Sequence, residues 1–203
     1  MDIGFFVKGL IIGFIVAVPV GPIGLLCINR VLSGRPAYGL SSGLGVATAD
    51  AICAGIAVLG LTLLSDFLVG QQAWLHPIGG LFLCYLGFKT FLIRPSGLAI
   101  SSKETGLVGA YASTFFLTLT NPVTILSFIA IYAGWGVESL SGNYLTAAIL
   151  TAGVFVGSAL WWFILCSGLL LFPGSFGHPE LRWVHRISGV IIAGFGFTVL
   201  LGF

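Results

Sequence analysis

Three observations predict an all-α integral membrane protein of six transmembrane helices, arranged as two inverted three-helix repeats. The first is composition: of 203 residues, 58% are hydrophobic and 7% charged, with a mean hydropathy of +1.13. A soluble domain carries roughly a quarter charged residues. The second is length. Six apolar runs of about 20 residues, each long enough to cross a hydrocarbon core of roughly 30 Å, use up the chain and leave no room for a soluble domain. The third is internal repetition. His76, Ile78, Gly80, Gly87 and Phe88 recur as His185, Ile187, Gly189, Gly196 and Phe197, an offset of 109. Gly9 and Pro22 recur as Gly109 and Pro122, and Gly45-Val46 recurs as Gly153-Val154. The matches fall one set per helix in the same order. With three spans per half, the second half enters the membrane inverted, an architecture common in transporters.

The spans follow in order. Span 1 runs about Ile3–Ile28, broken by Pro19 and Pro22, and is read as a mature span, because it lacks the basic start of a signal peptide. A loop Asn29–Pro36 carries Arg30 and Arg35. Span 2 covers about Ala37–Leu64 with Asp50 near its middle. Ser65–Ala73 is polar, span 3 is about Trp74–Ile93, and the longest hydrophilic stretch follows at Arg94–Gly106. Span 4 is about Leu107–Trp135, with Asn121-Pro122 at its centre. After the loop Gly136–Asn143 comes span 5, about Tyr144–Phe172. Pro173–Arg182 is rich in turn residues, and span 6 is about Trp183–Phe203. One transporter domain thus covers 1–203, with repeat 1 at about 1–93, a loop at 94–106 and repeat 2 at about 107–203. No run shows the ten-residue alternation of a barrel strand, so every span is read as a helix.

Charge sets the orientation. Arg30, Arg35, Lys89, Arg94, Lys103, Arg182 and Arg186 lie in or beside the loops after spans 1, 3 and 5, and the loops after spans 2 and 4 have no Lys or Arg. The positive-inside rule then puts the basic loops in the cytoplasm and both termini outside. The basic residues are scattered in short loops, so no nucleic-acid partner is expected. Cys27, Cys53, Cys84 and Cys166 all sit in apolar runs without metal or redox spacing. They read as small core residues, and no metal or cofactor is expected.

Two features carry chemistry. The first is the pair Gly21-Pro22 and Asn121-Pro122, which coincide under the repeat. Gly and Asn are acceptable helix N-caps and Pro favours the first helical position. Each half therefore contains a helix that stops and restarts inside the membrane. A restarted helix presents N–H groups and a partial positive end, which attract a carboxylate. The other reading is a pair of simple proline kinks. The second feature is Asp50, the only acid far from an interface. A carboxylate at bilayer centre costs at least about 2.5 kcal/mol on insertion scales, so it faces the interior. No Lys or Arg lies at its depth, which leaves a cationic substrate group or a proton as counter-charge. The alternative is a protonated acid bonded to Thr48, Asn121 or backbone. Its counterpart in the repeat is Ser158, so the site is chemically asymmetric and suits a ligand with a cationic and an anionic end. Trp161-Trp162 lies mid-span 5, where Trp161 is placed as a cavity wall or as core. His76 and His185 start spans 3 and 6 and read as interfacial residues. Trp74, Trp135 and Trp183 form an aromatic belt at span ends. Gly39, Gly43, Ala47 and Ala51 recur every four residues along span 2, a close-packing face; such faces permit a homodimer.

In these features the chain resembles the lysine exporter family, the LysE/RhtB-type amino-acid exporters. The carrying residues are Pro19-Val-Gly21-Pro22, Asp50 in a small-residue span 2, Tyr85-Leu-Gly87-Phe-Lys89, Asn121-Pro122, and Ser158-Ala-Leu-Trp161. The resemblance covers essentially the whole chain. It implies a secondary transporter that exports amino acids or related small solutes across the inner membrane, driven by the proton or the membrane potential, with no enzymatic activity. An acid at Asp50 looks like the lysine and arginine branch. The chain departs from the family in the apolar Ile23-Gly24-Leu25-Leu26 after Pro22, which implies a drier site. Two other classes lack the residues they need. A transmembrane thiol–disulfide carrier needs symmetric cysteines, but Cys27 maps to Ser127 and Cys166 has no clear mate. A membrane-embedded enzyme needs paired acids or a His-rich cluster, and neither is present. A passive small-solute channel fits the same composition and stays open at this level.

Overall fold

The computed structural model describes residues 2–19, 21–63, 72–92, 106–134 and 144–171, with most positions from 186 to 201. These are all helix or short turn. The helices are α1 (Asp2–Ala17), α2 (Pro22–Leu32), α3 (Pro36–Leu63), α4 (Gln72–Leu92), α5 (Leu107–Leu119), α6 (Pro122–Gly134) and α7 (Tyr144–Leu171), followed by helical residues within 186–200. Spans 1 and 4, expected to stop and restart at Pro22 and Pro122, are each two helices. α3 and α7, at 28 residues each, reach about 42 Å and are apolar enough to cross a membrane; α5 and α6 form a third apolar unit bent by 60°.

Two boundaries differ from the sequence expectation. α2 continues to Leu32, so the first loop shrinks to a turn at 33–35, where Gly34 takes φ +76°. α4 starts at Gln72 and absorbs Pro77, as a helix with neighbouring partners can. The side chains of Trp74 and His76 lie outside the described residues. So do Arg94, Lys103, Trp135, Arg182, Trp183 and His185.

Glycines set how closely the helices cross. A Cβ at Gly9 or Gly13 of α1 would overlap the α7 backbone at Leu150 or Val154, and one at Gly153 or Gly157 would overlap α1 at Phe6 or Leu10. Gly45 of α3 faces the α5 backbone at Tyr111 in the same way. There Ser41 Oγ donates to Leu107 O at 2.7 Å and Thr114 Oγ1 to Ser42 O at 2.8 Å. α4 meets the last helical segment through glycine on both sides: Cβ atoms at Gly80 and Gly196 would lie 3.0 and 2.9 Å from each other's carbonyl oxygens, and at Gly87 and Gly189 2.7 and 2.6 Å. Small residues of this kind let backbones approach where no hydrophobic force drives association.

The interior divides into two apolar clusters. One contains Ile12, Cys53, Phe128, Tyr132, Leu150 and Val154. The other contains Cys27, Val31, Val46, Trp162, Cys166 and Leu169. The outward faces carry Ile52, Ile56, Leu160 and Phe163 in the open, a surface suited to hydrocarbon rather than water. Arg30 corrects a sequence expectation. It is not a loop charge but a buried residue in the last turn of α2, donating to Ser42 Oγ, to Ala110 O at 3.2 Å and to Ser113 Oγ at 2.9 Å. Its guanidinium supplies the several donors that tie α2 to α3 and α5.

Candidate functional site

The two interruptions arise from local chemistry. α1 makes its last bond from Val18 N–H to Phe14 O at 3.1 Å. Pro19 and Pro22 carry no N–H, so the ladder stops. Gly21 is extended, at φ −78° and ψ −166°, and α2 begins at Pro22 with no side chain capping it. The second interruption is tighter. Thr120 N–H closes α5 on Phe116 O at 3.0 Å, and Asn121 N–H bonds Thr118 O at 3.1 Å. Pro122 then opens α6, and Asn121 Oδ1 accepts the Val123 N–H at 3.1 Å, an N-cap bond.

Both interruptions border one cavity of about 540 Å³, within the range of small-molecule sites. Its wall draws Val46 and Trp162 from one apolar cluster and Leu83, Ile131 and Ile192 from the other, so the cavity lies between them. Asp50 also lines it, 3% exposed, with Oδ2 accepting a 2.7 Å bond from Ser158 Oγ. Burial makes such a carboxyl costly unless partnered, and Ser158 supplies one partner.

The structure sorts the residues singled out by sequence. Asp50, Gly21 and Asn121 line the cavity. Pro22 and Pro122 begin the helices beside it. Ser158 stands behind Asp50. Thr48 is not its partner: its hydroxyl bonds Leu44 O of its own helix at 2.8 Å. Trp161 packs edge-on against Phe14, with ring centroids 5.4 Å apart, and is not in the cavity wall. The neighbouring Trp162 is, because positions four apart share a helix face and Trp162 follows Ser158 by four. Also lining the cavity are Lys89 at the exposed end of α4, and Thr118, Thr124 and Ser127. Lys89 adds a base to the cavity's lining, at its exposed edge. The polar residues 118, 121, 124 and 127 recur every three positions across the α5–α6 break, a signal the sequence carries but which reads as scattered hydroxyls in an apolar run.

The LysE type translocator pattern matches residues 14–202. This chain belongs to that family. Among relatives of this LysE type translocator is the "Putative amino acid efflux protein YcgF" of Bacillus subtilis, 26% identical over 95% of this chain and 93% of the relative. The "Threonine efflux protein" of Escherichia coli K12 is 27% identical over 78% of this chain and 79% of its own length. The "Uncharacterized membrane protein YrhP" of Bacillus subtilis is 25% identical over 85% and 87%. No solved structure matches the chain.

Proposed function

We propose that this chain exports a small neutral amino acid across the cytoplasmic membrane, through alternating access of two inverted three-helix repeats about the cavity. One observation carries the reading: a single cavity borders both helix interruptions and a buried carboxyl. The names of the relatives, amino acid and threonine efflux proteins, supply the solute class. Asp50 holds the substrate ammonium and, between cycles, a proton, which couples export to the proton gradient. The resemblance to the lysine and arginine branch is set aside on charge. A basic amino acid brings two cationic groups, whereas the described cavity wall holds one acid, Asp50, and one base, Lys89. A zwitterion with an uncharged side chain matches that wall.

The inverted repeat is supported by pairs of counterparts that touch each other, as residues on a two-fold axis must. Asp50 and Ser158, 108 apart, are hydrogen-bonded at 2.7 Å, and Cys84 Sγ, 109 before Ala193, lies 3.6 Å from its carbonyl oxygen. The exchange of Gly80–Gly196 with Gly189–Gly87 obeys the same offset. With both termini outside, Lys89 marks a rim on the cytoplasmic side, where an exporter loads.

The test is counterflow of L-threonine in proteoliposomes, which also separates a carrier from a passive channel. Wild type is expected to accelerate labelled uptake against internal threonine. Asp50→Asn is expected to reduce it to the protein-free level while remaining folded and monodisperse. Undiminished counterflow in that variant would remove Asp50 from the mechanism.

A further inference from the structure

The two interruptions are not equivalent, and the difference points to where a substrate carboxylate sits. At α6 the Asn121 side chain satisfies the second residue's N–H. At α2 no side chain does so, and among the described residues the first N–H bonded into the helix is that of Leu25, to Gly21 O at 3.0 Å. Gly21, Ile23 and Gly24, the uncapped start itself, line the cavity. Nor does the backbone require glycine at 21. Its φ is −78°, open to any residue, and a Cβ there would meet nothing within 4 Å.

A second observation is independent of the helix end. Thr118 and Trp162 line the same cavity at 3% and 4% exposure, yet Thr118 Oγ1 and Trp162 Nε1 are buried without a hydrogen-bond partner. Buried polar atoms are ordinarily paired, and an indole N–H can only donate. Trp162 stands one turn from Ser158, the Asp50 partner, and Gly43 makes room for it: a Cβ there would lie 2.5 Å from the Trp162 Cβ. An acceptor entering beside Asp50 would therefore come against the two side chains that carry these unpaired donors, next to a positive helix end.

We propose that the α2 start, Trp162 Nε1 and Thr118 Oγ1 form the carboxylate subsite for the amino acid whose ammonium Asp50 holds, and that the α6 start takes no part in it. The proposal rests on the export reading above and assigns Trp162 and Thr118 as specificity-determining residues. Three probes test it by calorimetry on the purified full chain: L-threonine, its carboxamide, and 1-amino-2-propanol, which lacks the carboxylate. Trp162→Phe keeps an aromatic ring, though a smaller one, and removes the N–H; Thr118→Val keeps the shape and removes the hydroxyl. Each is expected to weaken L-threonine about tenfold, the loss of one bond to a charged group, and to leave 1-amino-2-propanol unchanged. Gly21→Ala, which the open space tolerates, is expected to weaken L-threonine and the carboxamide together, and it carries the test should Trp162→Phe fail to fold. Equal weakening of L-threonine and 1-amino-2-propanol, or no weakening of either, would overturn the subsite. If Asp50 still proves essential to threonine binding in that case, the export reading stands without it. Wild type that binds none of the three probes would overturn both.

Discussion

The break between α1 and α2 and the break between α5 and α6 place a proline at the same position in each half, but they produce different helix starts. The second is compact: two residues, 120 and 121, separate the helices, and Thr120 and Asn121 satisfy both ends locally. The first needs four residues, 18–21, and leaves α2 uncapped at a glycine that has open space beside it. At both breaks the restarted helix begins at the proline. The residue before it determines whether the new end is already occupied. Under the proposed export reading, one open end and one capped end suit a ligand that is itself asymmetric, and Asp50, whose counterpart in the repeat is Ser158, adds to that asymmetry.

Substitutions that trade the two ends sharpen this comparison. Gly21→Asn would install at the first break the cap of the second. It is expected to abolish threonine counterflow while raising stability by a few tenths of a kcal/mol, the usual Gly-to-Asn gain at an N-cap, readable as a small rise in melting temperature. Retained transport in that variant would show that the open end is not used. Ser158→Ala removes the hydroxyl that bonds Asp50 at 2.7 Å. The expected effect is intermediate: a loss of about 1.5–3 kcal/mol in whichever state holds the carboxylate, seen as slower transport with the protein still folded. Asn121→Ala is expected to have the smallest effect on transport. Losing its cap bond costs about 1 kcal/mol, a melting-temperature drop of about 2–4 °C for a chain of this size. Asn121→Ser should restore the temperature. Were Asn121→Ala to cut threonine affinity more than Gly21→Ala, the roles of the two ends would be reversed.

Glycine shows the same division elsewhere. Gly9, Gly13, Gly153 and Gly157 are required because a methyl group would collide with a neighbouring backbone. Gly21 is not required by any such contact. In the sequence these glycines look alike, since each lies in an apolar run.

Much of the organisation was legible in the chain. The paired Gly21-Pro22 and Asn121-Pro122 marked where both helices restart, whereas Pro77, equally without an N–H, stays inside α4. An acid in an apolar run has to face inward, so Asp50 could be singled out. What sequence misassigned depended on helix phase and on neighbours. Trp161 and Trp162 differ by one position, or 100° of rotation, and packing against Phe14 turns the first away while the second enters the cavity. Thr48 lies two residues from Asp50 and so points elsewhere. Arg30 looked like a loop cation because its partners Ser42, Ala110 and Ser113 lie far from it in sequence, on two other helices.

By itself, the sequence determined the all-helical, apolar class, the prolines at which α2 and α6 begin, and Asp50 as an acid inside an apolar run. Each follows from composition or from covalent properties of individual residues, which hold before the chain folds. The tertiary structure alone decided that both breaks and Asp50 border one cavity, that Ser158 partners Asp50, and that the first helix start is left open while the second is capped. Those facts depend on which helix faces meet, and in a chain of nearly uniform apolarity the glycine contacts between helices, more than any hydrophobic pattern, settle that.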